Sequence, residues 1–485
     1  MRFKLILPSL TDAAGMRKRG VKYFRFPPLG LATLAAYLGP NDEVDLQDEH
    51  VEALNLGDAP DVVAIQVYIS SANRAYRIAD HYRARGAHVC LGGLHVTSLP
   101  REAAAHADSI FLGPGEDTWP RFLADFRAGR PRRVYRSTRR CLVGAPPPRR
   151  DLIKKDRYLV PNTLVVSRGC PHHCDFCYKD AFYRGGKSHY TMAVDQALEE
   201  IERLPGRHLC FLDDNLLGDP GFASGLFDGM RGMGRMWLAA GTVETILTRP
   251  DLIRKAAAAG MRSLFVGFET LSEESLRSVG KTHNVHRDYN AAIRRLHDLG
   301  VMVNGSFVFG MDGDGEDVFA RTVEWGISQG IESATFHILT PYPGTPLFER
   351  MERQGRLLTR NWDLYDTRRA VFQPARMSPQ ALEQGYERAN VQFGSWSAIW
   401  RAAATKENLT DRVRHLMFSS GLRRWKGLWA WAIRCRGLKW LVPLMEEVLS
   451  AFGRYPAVSP DARGRAVPTA ALHPLGGLPG AVRNG

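Results

Sequence analysis

The stretch Cys170-Pro171-His172-His173-Cys174-Asp175-Phe176-Cys177 puts three thiols in one short loop. Thiolates at spacings of four and three can meet on one small soft-metal centre when a rigid element holds the loop. Iron-sulfur clusters take thiolate ligands, and a cubane cluster needs four. With three, one iron is left open, as catalytic metal sites require and structural sites avoid. We therefore read the loop as the seat of a [4Fe-4S] cluster with a vacant corner, its metal ligands being Cys170, Cys174 and Cys177. A zinc knuckle would need a fourth donor. His172 or His173 could be offered, but neither has the spacing of a recurrent zinc motif.

Such a loop needs a strand to carry it. Thr163-Leu164-Val165-Val166-Ser167 is β-branched and apolar enough to be one, and Arg168-Gly169 make the turn out of it. From there to about Leu347, expected strands at 164–167, 208–212, 236–241, 263–268, 302–309 and 333–338 alternate with helical patterns at 193–203, 250–259, 288–299 and 317–329. This count suits a partial (β/α)6 barrel, in which function collects at the carboxyl ends of the strands. Polar residues fall at those ends: Asp213 and Asp214 after the second strand, Glu244 after the third, Glu269 ending the fourth, Asn304 and Ser306 on the fifth. A lone acid there is commonly a helix cap. Four strands feeding one mouth point to a ligand. Thr340 to Leu347, with three prolines, closes this core as a rigid exit turn or a substrate contact.

Residues 1–130 repeat shorter βα units, with strands expected at 3–7, 43–46, 62–67, 88–91 and 109–112, which argues for a doubly wound parallel sheet. Its turns are glycine-rich: Pro27-Pro28-Leu29-Gly30, Leu91-Gly92-Gly93-Leu94 and Leu112-Gly113-Pro114-Gly115-Glu116. Glycine lets backbone approach a ligand closely, although each turn alone could be only a tight strand-to-helix connection. Residues 131–160 are rich in Arg and Pro and read as an extended linker. The α/β architecture expected is thus a doubly wound sheet (1–130), linker (131–160), partial barrel core (161–350), helical C-terminal extension (351–455) and disordered tail (456–485), the last dominated by Pro, Gly and Ala. Trp362, Tyr365 and Tyr386 are candidate lid or substrate-wall residues in the extension.

Composition is that of an ordinary globular chain, 44% hydrophobic and 24% charged. The other four cysteines are scattered, so no disulfide framework is expected, and a reducing, cytoplasmic setting is. Cys90 and Cys210 fall within expected strands and read as buried small hydrophobes. No run reaches about eighteen uncharged apolar residues, so no membrane-spanning helix is expected. Net charge is +14, and half of it lies between Ser395 and Pro456, where six of the ten tryptophans also fall. Amphipathic helices of that composition lie in a membrane interface or dock on the core. Nucleic acid is not expected as a partner, since no recognisable module for it is present.

The spacing C-x3-C-x2-C, the aromatic Phe176 before the last cysteine and the preceding strand together resemble the signature of the radical S-adenosylmethionine (SAM) superfamily. The three glycine turns resemble the cobalamin-binding domain that precedes the radical SAM core in one large subclass. This resemblance implies that SAM chelates the open iron, that an electron donor of reductase or flavodoxin type reduces the cluster, and that cleavage of SAM yields a 5'-deoxyadenosyl radical. Asp213 and Asp214 would then stand where the superfamily receives the SAM amino group, although Asp-Asp-Asn replaces its more usual Gly-Gly-Glu. Glu244 and Glu269 would lie near the ribose, Asn304 and Ser306 beside adenine and methionine, and Phe176 against adenine. Ser70, in the loop after the third strand, and Gly92, Gly93 and Gly113 would line the nucleotide tail of cobalamin. The loop after the first strand has no histidine, so cobalamin without a protein histidine ligand, or a corrin-free domain, is implied. The expected activity is methyl transfer to an unactivated carbon of a small-molecule or lipid-like substrate, with peripheral membrane association. A radical cyclase or rearrangement enzyme, or a non-catalytic iron-sulfur protein, are the alternatives.

Overall fold

The computed structural model describes residues 1–10, 26–424, 458–460 and 466–468. Strands β1 (Arg2–Leu7), β2 (Glu43–Asp48), β3 (Val62–Gln66), β4 (His88–Gly92), β5 (Ser109–Leu112) and β6 (Val134–Arg136) form one parallel sheet in the order β2-β1-β3-β4-β5-β6. The central strands are near-continuous apolar runs because both faces are covered. Phe3 and Leu5 pack with Trp119 and Phe122 on one side, whereas Ile6, Val63 and Ile65 meet the helix Ala72–Arg83 on the other. Strand order reverses between β1 and β3, and such a reversal opens a crevice beyond the carboxyl ends.

The second sheet joins β7 (Thr163–Leu164), β10 (His208–Phe211), β11 (Met236–Gly241), β12 (Met261–Glu269), β13 (Met302–Phe309) and β14 (Ser333–Ile338) in sequential parallel order, the arrangement of an open barrel. Between β7 and β10 an antiparallel pair, β8 (Ser167–Gly169) with β9 (His189–Thr191), brackets the cysteine loop. On β12 and β13 the outer positions Leu264, Val266, Phe268, Val303 and Phe307 pack into the helix-covered core. Alternation sends their neighbours inward. Register sets Ala240, Phe265, Asn304 and Ser333 in one inner row and Gly267, Ser306 and Thr335 in the next. Apart from Phe265 these inner residues are small or polar, unlike the bulky branched layers that fill a closed barrel.

Three expectations change. The strand expected through Ser167 breaks after Leu164, because Val166 and Ser167 turn their N–H groups onto Asp213 rather than onto a neighbouring strand. Val134–Arg136, inside the expected linker, is the sixth strand of the first sheet; Tyr135 stacks on Phe111 at 5.2 Å and draws the chain onto the sheet edge before the prolines begin. In the expected disordered tail, Val458–Pro460 (β15) pairs antiparallel with Ala466–Pro468 (β16), each holding a β-branched valine; the rest of the tail lies outside the described residues.

The helices Pro379–Phe393, Trp396–Ala404 and Leu409–Arg424 close the described C-terminal part. Glu332, buried at the start of β14, accepts from Lys406 and lies 3.3 Å from His297, which ties these helices to the barrel. Trp425, Trp429, Trp431 and Trp440 of the basic tryptophan-rich segment lie outside the described residues.

Candidate active site at the domain interface

The cysteine loop is held at both ends by backbone. Cys170 N–H donates to the Ser188 carbonyl at 3.0 Å, and Asp175 N–H to Val279 at 2.9 Å. Asp175 also accepts from Arg350 at 2.8 Å, so the loop is fastened to the helix Pro346–Arg353 that follows the Pro-rich turn. Burial pushes the Cys174 thiol up to about 11 and Cys177 up to about 12; Cys170 lies close enough to add to both rises, and Cys174 to that of Cys177. Metal binding must displace those protons. The cation Lys281 opposes the rise at Cys174. Among the described residues no three His, Cys, Asp or Glu groups close on a single metal-ion position. Ligands that attach to separate irons of a cubane need not. Asn215 Nδ2 lies 3.7 Å from Cys170 Sγ, a donor to a ligand sulfur of the kind that tunes cluster potential.

The expected SAM residues divide. Asp213 Oδ1 accepts from Val166 N, Ser167 N and Ser167 Oγ, so one oxygen latches the turn into the cysteine loop, while its buried Oδ2 has no partner among the described residues. Asp214 accepts from Gly169 N at 2.9 Å and Tyr178 OH at 2.6 Å and faces the cavity between the domains. Asn215 Oδ1 and Asn304 Oδ1 are likewise buried without partners, and Ser306 shares Asn304's inner face of β13. Orphaned acceptors at the barrel mouth fit a ligand rich in N–H and O–H donors, as SAM is. Phe176 is half-buried against the barrel core. Glu244 and Glu269 do not join them: Glu244 pairs with His172 at 3.5 Å and Arg287 at 3.4 Å, and Glu269 with buried Lys281 at 3.0 Å. Glu269 sits at φ +64° beside a register shift in β12, and the resulting bulge turns its carboxylate toward Lys281, whose charge acts on Cys174.

Burial raises the Asp213 carboxyl to about 7. A raised carboxyl binds its proton more tightly when folded, so its contribution is complete below the unfolded value of 3.8 and is lost as pH rises through about 7. Without ligands, the protein is expected to lose about 1 kcal/mol of stability between about pH 6 and about pH 8. Asp213→Asn, whose amide oxygen can still accept from the turn, should flatten that dependence in thermal melts; an unchanged pH profile would show that another group carries it.

At the carboxyl ends of β3 to β5 is a slot of about 140 Å³ lined by Gly30, Gly92, Gly93, Gly113 and Gly115. Gly93 stands at φ +114°, and a Cβ there would lie 2.8 Å from the Val67 carbonyl oxygen. Cβ atoms at Gly92 and Gly113 would meet Phe111 and Arg140. The slot is a narrow, backbone-walled cleft of the sort that takes a flat base. Ser70 lies elsewhere, in the turn Ile69–Ser71 that lines a neighbouring cavity of about 680 Å³. That cavity lies between the domains, where Leu10, Phe26, Tyr68 and Ser70 face Tyr178, Phe182, Tyr183, His337 and Tyr342. Tyr365, Asp366 and Thr367 complete the wall from the C-terminal extension. Of the aromatic wall candidates, Tyr365 is thus there, whereas Trp362 is buried and donates to Glu102 and Tyr386 packs on the barrel core. Sequence reasoning missed His337, Asp366 and Thr367. Alternation along β14 could have found His337, which shares the inner face with Thr335, but no local pattern marks the other two.

Family models match this division: a B12 binding domain over residues 20–123 and the radical SAM superfamily over 164–326. The bacteriochlorophyllide d C-12(1)-methyltransferase of Chlorobaculum tepidum is 31% identical over 389 residues, spanning 77% of this chain and 84% of its own. The chain belongs to the cobalamin-binding radical SAM superfamily. As a member of it, the protein is an enzyme that works with a [4Fe-4S] cluster, SAM and cobalamin. The hopanoid C-2 methylase of Rhodopseudomonas palustris is 26% identical, covering 68% of this chain and 65% of its own. Among solved structures, the cobalamin-dependent SAM radical enzyme OxsB with aqua-cobalamin superposes with a TM-score of 0.63 at 14% identity, covering 88% of this chain and 71% of OxsB, a likeness of fold.

Proposed function

We propose that the enzyme transfers a methyl group to an unactivated carbon of an apolar ring system held in the 680 Å³ cavity. The cavity wall carries the reading: Phe26, Tyr68, Tyr178, Phe182, Tyr183, Tyr342 and Tyr365 offer aromatic faces, and polar groups such as Arg168, Asp214, His337 and Asp366 stand between them. Flat aromatic walls suit a rigid polycycle. Two relatives named for methylation act on such compounds, a bacteriochlorophyllide and a hopanoid.

When bound, the cofactors would supply a deoxyadenosyl radical for hydrogen abstraction and a methyl group for transfer. The protein's own part is to bind, orient and exclude. Cys170, Cys174 and Cys177 hold the cluster, and Asn215 donates to one of its sulfurs. Asp214, Asn304, Ser306 and the free oxygen of Asp213 receive the donors of SAM; Phe176 backs the site. Gly92, Gly93 and Gly113 admit the nucleotide tail of cobalamin by withholding side chains. The aromatic wall keeps water from the radical. Glu244 and Glu269 act on the cysteine loop through His172 and Lys281.

Anaerobic turnover with methyl-labelled SAM, hydroxocobalamin and a strong reductant tests the reading. Candidate polycycles should gain the mass of one labelled methyl group. Products that form without the label would favour the second reading, a radical cyclase, which has support in the 24% identity to the anaerobic magnesium-protoporphyrin IX monomethyl ester cyclase of Rubrivivax gelatinosus.

An apolar substrate would reach the enzyme from a lipid surface. Among the described residues no helix is long and apolar enough to cross a membrane. Leu409, Val413 and Met417 nevertheless recur along one exposed helix face, and Trp400 is exposed beside Arg401. Such a face favours peripheral association on the cytoplasmic side. The protein should sediment with anionic liposomes at low salt and be released by high salt; absence from the pellet would sink this part.

A further inference from the structure

Arg168 leaves the barrel's β8 two residues before Cys170, yet it lines both the 140 Å³ slot of the first domain and the 680 Å³ cavity between the domains. Its Nη2 donates at 2.6 Å to Glu116 Oε1, the acid that closes the glycine turn after β5. This spends one edge of a planar fork of five N–H donors. Its Nε is buried with no partner among the described residues. An arginine tied by one nitrogen and left with unused donors at the neck of a ligand slot is positioned for a second acceptor. Tyr183 and Tyr190 lie near enough for their hydroxyls to act on its charge.

We infer that Arg168 is a cobalamin-binding residue contributed by the barrel domain, donating to an amide or phosphate oxygen of the cofactor while Glu116 holds its orientation. The inference rests on the cobalamin site argued above. Glu116, which also borders the slot, acts here as a positioning residue: it aims the fork. Because Arg168 shares a strand end with Cys170, occupancy of the corrin site also stiffens the entry to the cysteine loop. Binding free energies are reciprocal, so protein with its cluster loaded should take up cobalamin more tightly than cluster-free protein.

Hydroxocobalamin titration of the anaerobically purified full chain, followed by absorbance, tests this. Arg168→Met should weaken binding by at least about tenfold, the effect of losing a charge-assisted donor. Glu116→Gln, which leaves the guanidinium present, should stay within about threefold. Arg168→Lys, a point charge without the fork, should fall between them. Iron content and thermal melts establish that each variant is folded and loaded. Equal binding by Arg168→Met and the unaltered protein would overturn the inference, as would equal losses in Arg168→Met and Glu116→Gln, which would reduce the pair to a structural tie. If the unaltered protein takes up no hydroxocobalamin, the cobalamin site itself fails and not only the role of Arg168.

Discussion

A Cys174→Ala protein is expected to lose its cluster and fall to background in 5'-deoxyadenosine formation, and Cys170→Ala and Cys177→Ala should do the same. In the proposed site three thiolates are the whole protein ligand set for a cluster that must keep one iron open, so a single loss would leave two irons without protein ligands. The effect should be all-or-none because no neighbour offers a thiolate: Asn215 is a donor, Lys281 and Lys179 are cations, and the carboxylates of Glu269 and Asp214 are already engaged by Lys281 and by Gly169 and Tyr178. Anaerobically prepared protein should show thiolate-to-iron absorption near roughly 400 nm that disappears in each variant. Cys141→Ala, which removes an exposed thiol elsewhere in the chain, should leave that band unchanged. A variant lacking Cys174 that retains both the band and the product would dismantle the assignment of the loop.

Gly93→Ala should weaken cobalamin uptake while sparing the iron content. The backbone at φ +114° is one that L side chains rarely adopt, and the added Cβ would lie 2.8 Å from the Val67 carbonyl oxygen, which cannot rotate aside. With ψ at −168° the residue lies in a region that essentially only glycine populates, which costs another residue about 1–3 kcal/mol, and the clash adds to it by forcing the end of β3 away from β4. The wall of the slot moves with that strand. Hydroxocobalamin affinity should fall by at least about tenfold, and the melting temperature should drop by several degrees. Gly129→Ala is the comparison: φ is +73° there, but a Cβ meets nothing within 4 Å, so only the backbone cost applies and cobalamin should bind as before. Undiminished cobalamin uptake by Gly93→Ala would mean that the slot is not the site.

Much of this protein can be read from local pattern, for physical reasons that differ by element. Strands such as Met236–Gly241, Met302–Phe309 and Ser333–Ile338 fall where expected, because a parallel strand buried between helices is a run of apolar residues bounded by turn residues. The cysteine spacing is legible because ligand chemistry tolerates few substitutes for thiolate. The acids at the strand ends were legible only as a group. Asp213, Glu244 and Glu269 all carry the same charge in the same kind of place, but one latches a turn, one meets His172 and Arg287, and one meets Lys281. Those partners lie 12 or more residues away in the chain, and no spacing rule reaches them.

The order of most elements along the chain, the three sulfurs and the glycine-rich turns were thus legible in sequence alone, since each depends on the residue itself or on neighbours within a few positions. Tertiary structure decided what those elements enclose. Only when the first sheet is set against the barrel do Tyr68 and Phe26 meet Tyr178 and Tyr365 across one cavity, and only then does Arg168, next to the cysteine loop, reach the glycine slot of the other domain. Such contacts arise from packing two layers against each other, and the free energy that selects their mutual orientation is spread over many side chains rather than written in any one stretch.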